Sequence, residues 1–387
     1  MLEVYPQLNA AQANADAIGQ AKESEKTSWH PSLSLNVRSG AERYEDLLAN
    51  DFSSGRTNTA SLSANQLLYD GGLSQNNVRA ASYRHQASLE TIADLRESKT
   101  LELATTYIDI IKHRRLIELA EANVKTHQDA LEKISQKYQS GAAPRADVDL
   151  LNARMAMAQA TVESRRLQLK RSESTYKNLT GEAPVALSLP DFPKVAAREL
   201  AVTEDFSTAP RIRAAESNLE LARVEQQGTR SQYRPRLSLA LQNDYRDSTR
   251  SSTISEESSA LIVLSYNIFD GGRRRSELKR NRSLIYKAEF DKENALWDSR
   301  LRFDQARDEI EATEDRIGHL VRYSQSIETV AHAYQEQFNL GQRALINLLD
   351  IENELFSARS SLEEENLILY QATYRLISAT GRLVESL

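Results

Sequence analysis

Apolar residues recur along this chain in two rhythms, and each rhythm appears twice. Leu33, Leu35 and Val37 alternate with Ser34, Asn36 and Arg38, and further on Leu62 and Ala64 oppose Ser61, Ser63 and Asn65. Alternation of this kind gives an extended strand one apolar and one polar face. The same pair of patterns returns later: Leu237, Leu239 and Leu241 alternate with Ser238, Ala240 and Gln242, and Ile262, Leu264, Tyr266 and Ile268 share one face of 260–269. The polar stretch between the first two strands, SGAERYEDLLANDFSSGR, reads as a loop. Two strand hairpins are therefore predicted, over 31–69 and 235–269, with strands of about ten residues.

The second rhythm is helical. Residues 7–28 are rich in Ala, Gln, Lys and Glu and predict a helix that Pro31 ends. Beyond Gly72 neither proline nor glycine occurs before Gly141, and a continuous helix of that length runs about 100 Å. Its last part places Ile117, Ala120, Val124, His127, Leu131, Ile134 and Tyr138 at alternating spacings of three and four. Ile317, Leu320, Ser324, Ile327, Ala331, Tyr334 and Phe338 repeat that register. Both are heptads, which pack lengthwise as coiled coils. Gly141 and Gly341 break the helices, and new ones are predicted from about 144 and 343, giving two long antiparallel helical hairpins over 72–179 and 273–381.

These doublings are one event. QLLYDGG at 66–72 returns as YNIFDGG at 266–272; Gly141 and Gly181 return 200 residues later as Gly341 and Gly381; HPSLSLN at 30–36 matches RPRLSLA at 234–240, an offset of 204. The chain is a tandem repeat. The first copy spans 1–180 and the second 207–381, with a tail at 382–387. The proline-bearing segment between them, 181–206, is predicted to pack against the waist of the helical bundle as a small irregular layer. At each DGG, Asp70 or Asp270 is placed to cap the free N–H groups of the next helix, while Gly71, Gly72, Gly271 and Gly272 allow the sharp turn from strand to helix.

Composition narrows the function. A net charge of −6 offers no basic surface for nucleic acid. There is no cysteine, hence no disulfide or thiolate metal site. The six histidines lack metal-ligand spacing, and neither DGG continues as a phosphate loop. No enzyme, metal or cofactor is expected. The start, MLEVYPQLNAAQANA, lacks the basic and apolar segments of a signal peptide, so either export is not involved or the chain begins within an element. No apolar run is long enough for a membrane-spanning helix, yet strands of this length and pattern suit a membrane barrel. Four strands cannot close a barrel alone, and open edges cannot sit in lipid. Pooling strands from three chains gives twelve, enough for a polar and open interior. The expected fold is mainly α with membrane β: a homotrimer whose twelve-stranded β-barrel, four strands per chain, continues into a long α-helical barrel. A soluble helical scaffold rod with two added hairpins is the competing architecture.

The stretches LLYDGG and NIFDGG, together with GAAPRADVDLLNARMAMAQA and FNLGQRALINLLDIENELFSAR at the two hairpin turns, resemble the outer-membrane efflux and secretion channel family of Gram-negative bacteria, typified by TolC. The resemblance covers residues 1–381. It implies a channel in the cell outer membrane that extends into the periplasm, docks a periplasmic adaptor and serves an inner-membrane transporter. The second turn looks most like members of type I protein secretion systems, which implies an ABC transporter and an exported protein substrate. The alternative is a tripartite small-molecule or drug efflux pump with a proton-driven transporter.

The resemblance also points to residues at the hairpin tips. It implies a periplasmic gate in which Arg343 pairs with Asp147, and an acidic entrance ring at Asn347 and Asp350. Asparagine stands where the family usually has an aspartate, which halves the expected ring on that hairpin. Phe338 stands where a gate tyrosine would hydrogen-bond, so that bond must be lost or replaced. Small residues beside the turns, Gly141, Ala142, Ala143, Gly341 and Ala344, suit close approach by an adaptor hairpin. Arg273, Arg274 and Arg275 follow the second DGG, where they either meet anionic outer-membrane lipid headgroups or are simply solvated.

Overall fold

The computed structural model describes residues 5–46, 51–189, 204–249 and 253–386. Helix α1 (Pro6–Lys26) ends in a single tight turn at Thr27–Trp29, because Pro31 stops helical propagation. Strands β1 (Ser32–Asp46) and β2 (Asp51–Tyr69) follow, then helices α2 (Leu73–Gln139) and α3 (Arg145–Thr180). The second copy supplies α4 (Pro210–Ser231), β3 (Arg236–Ser248), β4 (Thr253–Ser265), α5 (Arg273–Asn339) and α6 (Leu345–Ala379). A last short helix, α7, spans Leu383–Ser386. Both long helices have 67 residues.

The four strands form one antiparallel sheet in the order β1-β2-β3-β4. Three strand lengths depart from expectation. The stretch read as a loop is mostly strand, since pairing continues outward from Ser39↔Asn58 through Glu42↔Gly55. A backbone ladder needs no apolar side chains once it has left an apolar surface, so the alternation that marks a strand fades before the strand does. In the other direction β4 stops at Ser265, leaving Tyr266 and Ile268 outside it. There Arg274 donates to the Asn267 carbonyl at 2.6 Å and takes the place of a strand partner.

Two compact units result. They cut across the sequence repeat, each taking parts of both copies, because helices of the two copies pack on one another. The first unit contains residues 1–11, 91–213 and 294–387. One core cluster there combines Ile134 and Leu151 of the first hairpin with Ala331, Phe338, Leu345, Leu348, Leu349, Ile351 and Leu355 of the second. The heptads place these positions correctly: Ala120, His127, Ile134, Ser324, Ala331 and Phe338 are all buried, whereas Tyr138 is exposed. Ion pairs tie the hairpins together outside the core, among them Arg165 to Glu364 at 3.0 Å and Arg115 to Glu363.

A second cluster holds Ile108, Ile111, Leu367, Tyr374, Ile377 and Leu383, with Leu187 and Leu189 packed against it. The start of the joining segment therefore lies on α2, where the Tyr107 hydroxyl donates to the Ser188 carbonyl at 2.6 Å. Its remainder, 190–203, falls outside the described residues. The C-terminal tail is anchored: the buried Glu97 carboxylate accepts the N–H groups of Leu383 (2.6 Å) and Val384 (3.2 Å). Burial still raises the Glu97 pKa, against the lowering effect of those two bonds.

The second unit, residues 12–90 and 214–293, contains the sheet, both strand-to-helix joints and most of the two helices that lead into strands. In it α4 is bound to α2 through Arg84–Glu225 at 3.0 Å, and to α5 through Asn281, which donates to the Thr229 hydroxyl at 2.7 Å.

Candidate functional site

Two kinds of place combine unusual backbone with charge: the hairpin tips and the joints. Both tips are built alike. Gly141 (φ 77°) and Gly341 (φ 73°) adopt the left-handed conformation that ends a helix cheaply only with glycine. Their N–H groups reach Tyr138 O and Phe338 O, both at 3.0 Å, and the next residues, Ala142 and Gln342, donate to Lys137 O (2.7 Å) and Gln337 O (2.9 Å). This is the paired closing pattern of a Schellman turn. Pro144 and Ala344 then stand in extended conformation as N-caps of α3 and α6 without side-chain capping. Ala344 thus lies before the helix rather than in it. Ala142 and Ala344 are exposed and Ala143 is half-buried. A groove of about 270 Å³ lies beside them, lined by Lys133, Gln136, Lys137, Ser140, Phe338 and Asn339.

Three of the implied gate residues, Arg343, Asp350 and Phe338, have definite side-chain partners within the chain. The Arg343 guanidinium donates from Nε and Nη2 to Gln337 Oε1, at 3.0 and 2.7 Å, and lies 3.8 Å from the Tyr334 ring centre. Among the described residues it makes no bond to Asp147, which sits half-buried in the first turn of α3. Gln337 and Tyr334 occupy preceding turns of α5 and reach the guanidinium first. Asp350 accepts from Arg154 Nη2 at 3.1 Å, linking α6 to α3, and Asn347 is exposed one turn earlier. Phe338 replaces a hydroxyl contact by packing: it is 5% exposed, with the Lys137 ammonium 4.6 Å above its ring. Arg154, Gln337 and Lys137 escaped the sequence reading because single long polar side chains carry no spacing signal. Tyr334 was visible, but only as a heptad position.

Below the tips His127 occupies a heptad core position at 3% exposure, and its Nδ1 has no hydrogen-bond partner. Burial, and secondarily Arg154, hold its pKa below the ordinary value. No group of three or more His, Asp or Glu among the described residues is arranged to hold a metal.

At the first joint Asp70 accepts N–H groups from Gly72 (3.0 Å) and Ser74 (2.7 Å) and the Ser74 hydroxyl. Burial alone would raise its pKa, but these bonds outweigh burial and lower it. At the second joint Asp270 accepts from Gly272 N (3.0 Å), Arg274 N (3.0 Å) and Arg274 Nε (2.7 Å). The backbone bond from Arg274 is the leading cause of its lowered pKa. Arg274 is buried and also donates to Gln232 O at 3.0 Å, with Tyr233 stacked beneath it at 4.6 Å. It therefore meets neither headgroups nor bulk solvent. Arg273 and Arg275 are exposed.

The arrangement offers a sheet with one apolar face and two helical tips that pack on one another. Comparison with known proteins agrees with that geometry. A family model described as outer membrane efflux protein matches residues 1–182 and 206–382. The outer membrane efflux protein BepC of Brucella suis is 22% identical over 335 residues, covering 84% of this chain and 73% of that protein. The alkaline protease secretion protein AprF of Pseudomonas aeruginosa is 23% identical over 415 residues, covering all of this chain and 83% of that protein. Among solved structures the outer-membrane channel OprN superposes with a TM-score of 0.86 at 20% identity, covering 98% of this chain and 88% of that one.

Proposed function

The chain belongs to the outer membrane efflux protein family, and from that premise we propose that three copies form the outer-membrane exit duct of a tripartite efflux pump. It is an outer-membrane channel, not an enzyme. One observation carries the reading. The sheet has one neighbour only on β1 and on β4, and its apolar face is bare: Leu33, Leu35, Val37, Ile254, Ile262 and Leu264 are each at least 67% exposed. In water such a face and two open edges are a liability. In lipid the face is at home, and the edges must close on other copies. The opposite face suits a wet lumen, for Ser34 and Ser63 share a 2.7 Å hydrogen bond and Gln242 donates to Asp244 at 2.7 Å.

A periplasmic adaptor then meets the tips at Gly141, Ala142, Ala143, Gly341 and Ala344, and an inner-membrane transporter supplies the energy. Asp147, Arg343, Asn347, Asp350 and Phe338 surround the constriction that the adaptor opens. Efflux of small molecules is favoured by the family description and by the likeness to an efflux protein. Type I protein secretion is a second reading, favoured by the match to a protease secretion protein and by the second tip, FNLGQRALINLLDIENELFSAR.

Detergent-purified protein is expected to be trimeric and to conduct ions in planar bilayers. A detergent-free monomer would sink the duct and restore the scaffold rod. Deleting the gene separates the cargo readings: efflux predicts greater susceptibility to small toxic compounds with the secreted proteins unchanged, and secretion predicts the converse.

A further inference from the structure

The two DGG joints carry the same residues in different surroundings. Gly71 is buried: a Cβ there would lie 2.6 Å from the Arg234 Cβ and 2.8 Å from the Ser231 carbonyl oxygen. Arg234 Nη1 donates to Gly71 O at 2.9 Å, and Asn76 Nδ2 donates to the buried Ser231 hydroxyl at 3.2 Å. The corner between α4 and β3 is thus seated on the first joint. The second joint holds the same shape, with φ of 67° and 88° at Gly271 and Gly272 against 72° and 89° at Gly71 and Gly72. Its seat is empty. Both second-joint glycines are exposed, and nothing lies within 4 Å of the space a Cβ would take.

The repeat identifies what fits that seat. Moving back by the 204-residue offset, Ser231, Tyr233, Arg234 and Pro235 become Thr27, Trp29, His30 and Pro31. A hydroxyl answers a hydroxyl, an aromatic an aromatic, a basic ring a basic side chain, and a proline a proline. This corner, between α1 and β1, is exposed, Trp29 by 38%. Within one chain it belongs to β1, at the edge of the sheet opposite β4. A second copy whose β1 lies beside β4 brings it to the seat. Charge agrees: where Arg79 Nη1 donates to Gln227 at 3.0 Å, the corresponding residues are Lys279 and Glu23, of opposite sign.

We propose that the second joint is half of an intersubunit site, completed by residues 27–30 of a second copy. Thr27 of that copy lies against Ser276, as Ser231 lies against Asn76, and His30 turns towards the Gly271 carbonyl. The strand register follows as well: Asn65↔Ala240 within the chain maps to Ser265 facing Asn36 of the second copy. The inference rests on the trimeric reading and names the residues that close it.

Cysteines test it. Thr27→Cys with Ser276→Cys, introduced into the full chain and oxidised in detergent after the native mass has been measured, is expected to give covalent dimers and trimers on non-reducing gels. Each single variant should give none at those mobilities. Asn76→Cys with Ser231→Cys, the corresponding pair inside one chain, should lose both thiols without a change in mass. A trimeric native mass with an unlinked Thr27/Ser276 pair, beside a linked Asn76/Ser231 pair, overturns the site and leaves the trimer standing. A monomeric native mass overturns the trimeric reading itself.

Discussion

His127 shows how one side chain sets the response of the tips to acid. Its imidazole is buried with Nδ1 unpaired, and burial holds its pKa down. In the unfolded chain the ring gains a proton as pH falls through about 6.5, whereas in the fold it resists protonation. Stability is therefore full above that value and declines as pH falls from there towards the depressed folded value. His127→Leu should flatten the decline and add on the order of 1 kcal/mol at neutral pH by removing the unsatisfied nitrogen; an unchanged slope of unfolding midpoint against pH would assign the acid loss elsewhere. Arg343 poses the converse problem, since Gln337 and Tyr334 already hold it. If that clasp aims the guanidinium at the constriction, Gln337→Ala and Arg343→Ala should both raise the mean single-channel conductance, as should Asp147→Ala. Equal conductance in all three would remove these residues from the gate. The sequence indicated where these side chains lie but not their partners, because a partner is chosen by rotamer reach across a turn, as Gln337 shows for Arg343.

At the scale of elements, each joint converts a strand into a 67-residue helix, and its aspartate starts that helix. Asp70→Ala removes acceptors for two N–H groups and a hydroxyl and should cost about 1 to 2 kcal/mol. Asp270→Ala should lower the thermal midpoint further, because it also strips the buried Arg274 of its carboxylate. A smaller drop for Asp270→Ala would mean that the Gln232 and Asn267 carbonyls suffice to hold the guanidinium. Elements differed in how legible they were. Helix ends were plain, since Gly141, Gly341 and the DGG pairs leave a conformational mark that few other residues tolerate. Strand ends were not: Glu42↔Gly55 pairs through the backbone alone, and at Asn267 the strand partner is replaced by the Arg274 side chain, seven residues further on, which carries no strand pattern. The Glu97 anchor of α7 was equally hidden, since it joins residues 286 positions apart.

For the whole molecule the repeat was the most informative signal, because it announced four strands and two hairpins before any contact was known. It could not announce how charge is distributed along the duct, which depends on pairs between hairpins. On the polar face of the sheet the cations Arg38 and Arg246 stand among Glu42, Asp244 and Glu257, and Arg246 lies 3.8 Å from Glu42. In the proposed trimer such a mixture would line a wide wet lumen and discriminate weakly between ions. On the proposed trimeric reading selectivity would fall to the hairpin tips, where Asp350 would repeat around the constriction. Arg154 lies against it at 3.1 Å and opposes its charge. Because the pair is partly exposed, its contribution to stability is small, about 0.2 to 1 kcal/mol, but its effect on a permeating ion is not screened to the same degree in a constriction. Arg154→Ala should leave trimer stability nearly unchanged and shift the reversal potential in a salt gradient towards cation preference. Asp350→Asn in the same background should reverse that shift. If Arg154→Ala leaves the reversal potential where it was, the narrowest charged ring lies at another level of the duct, and Asp350 is only a structural partner of α3.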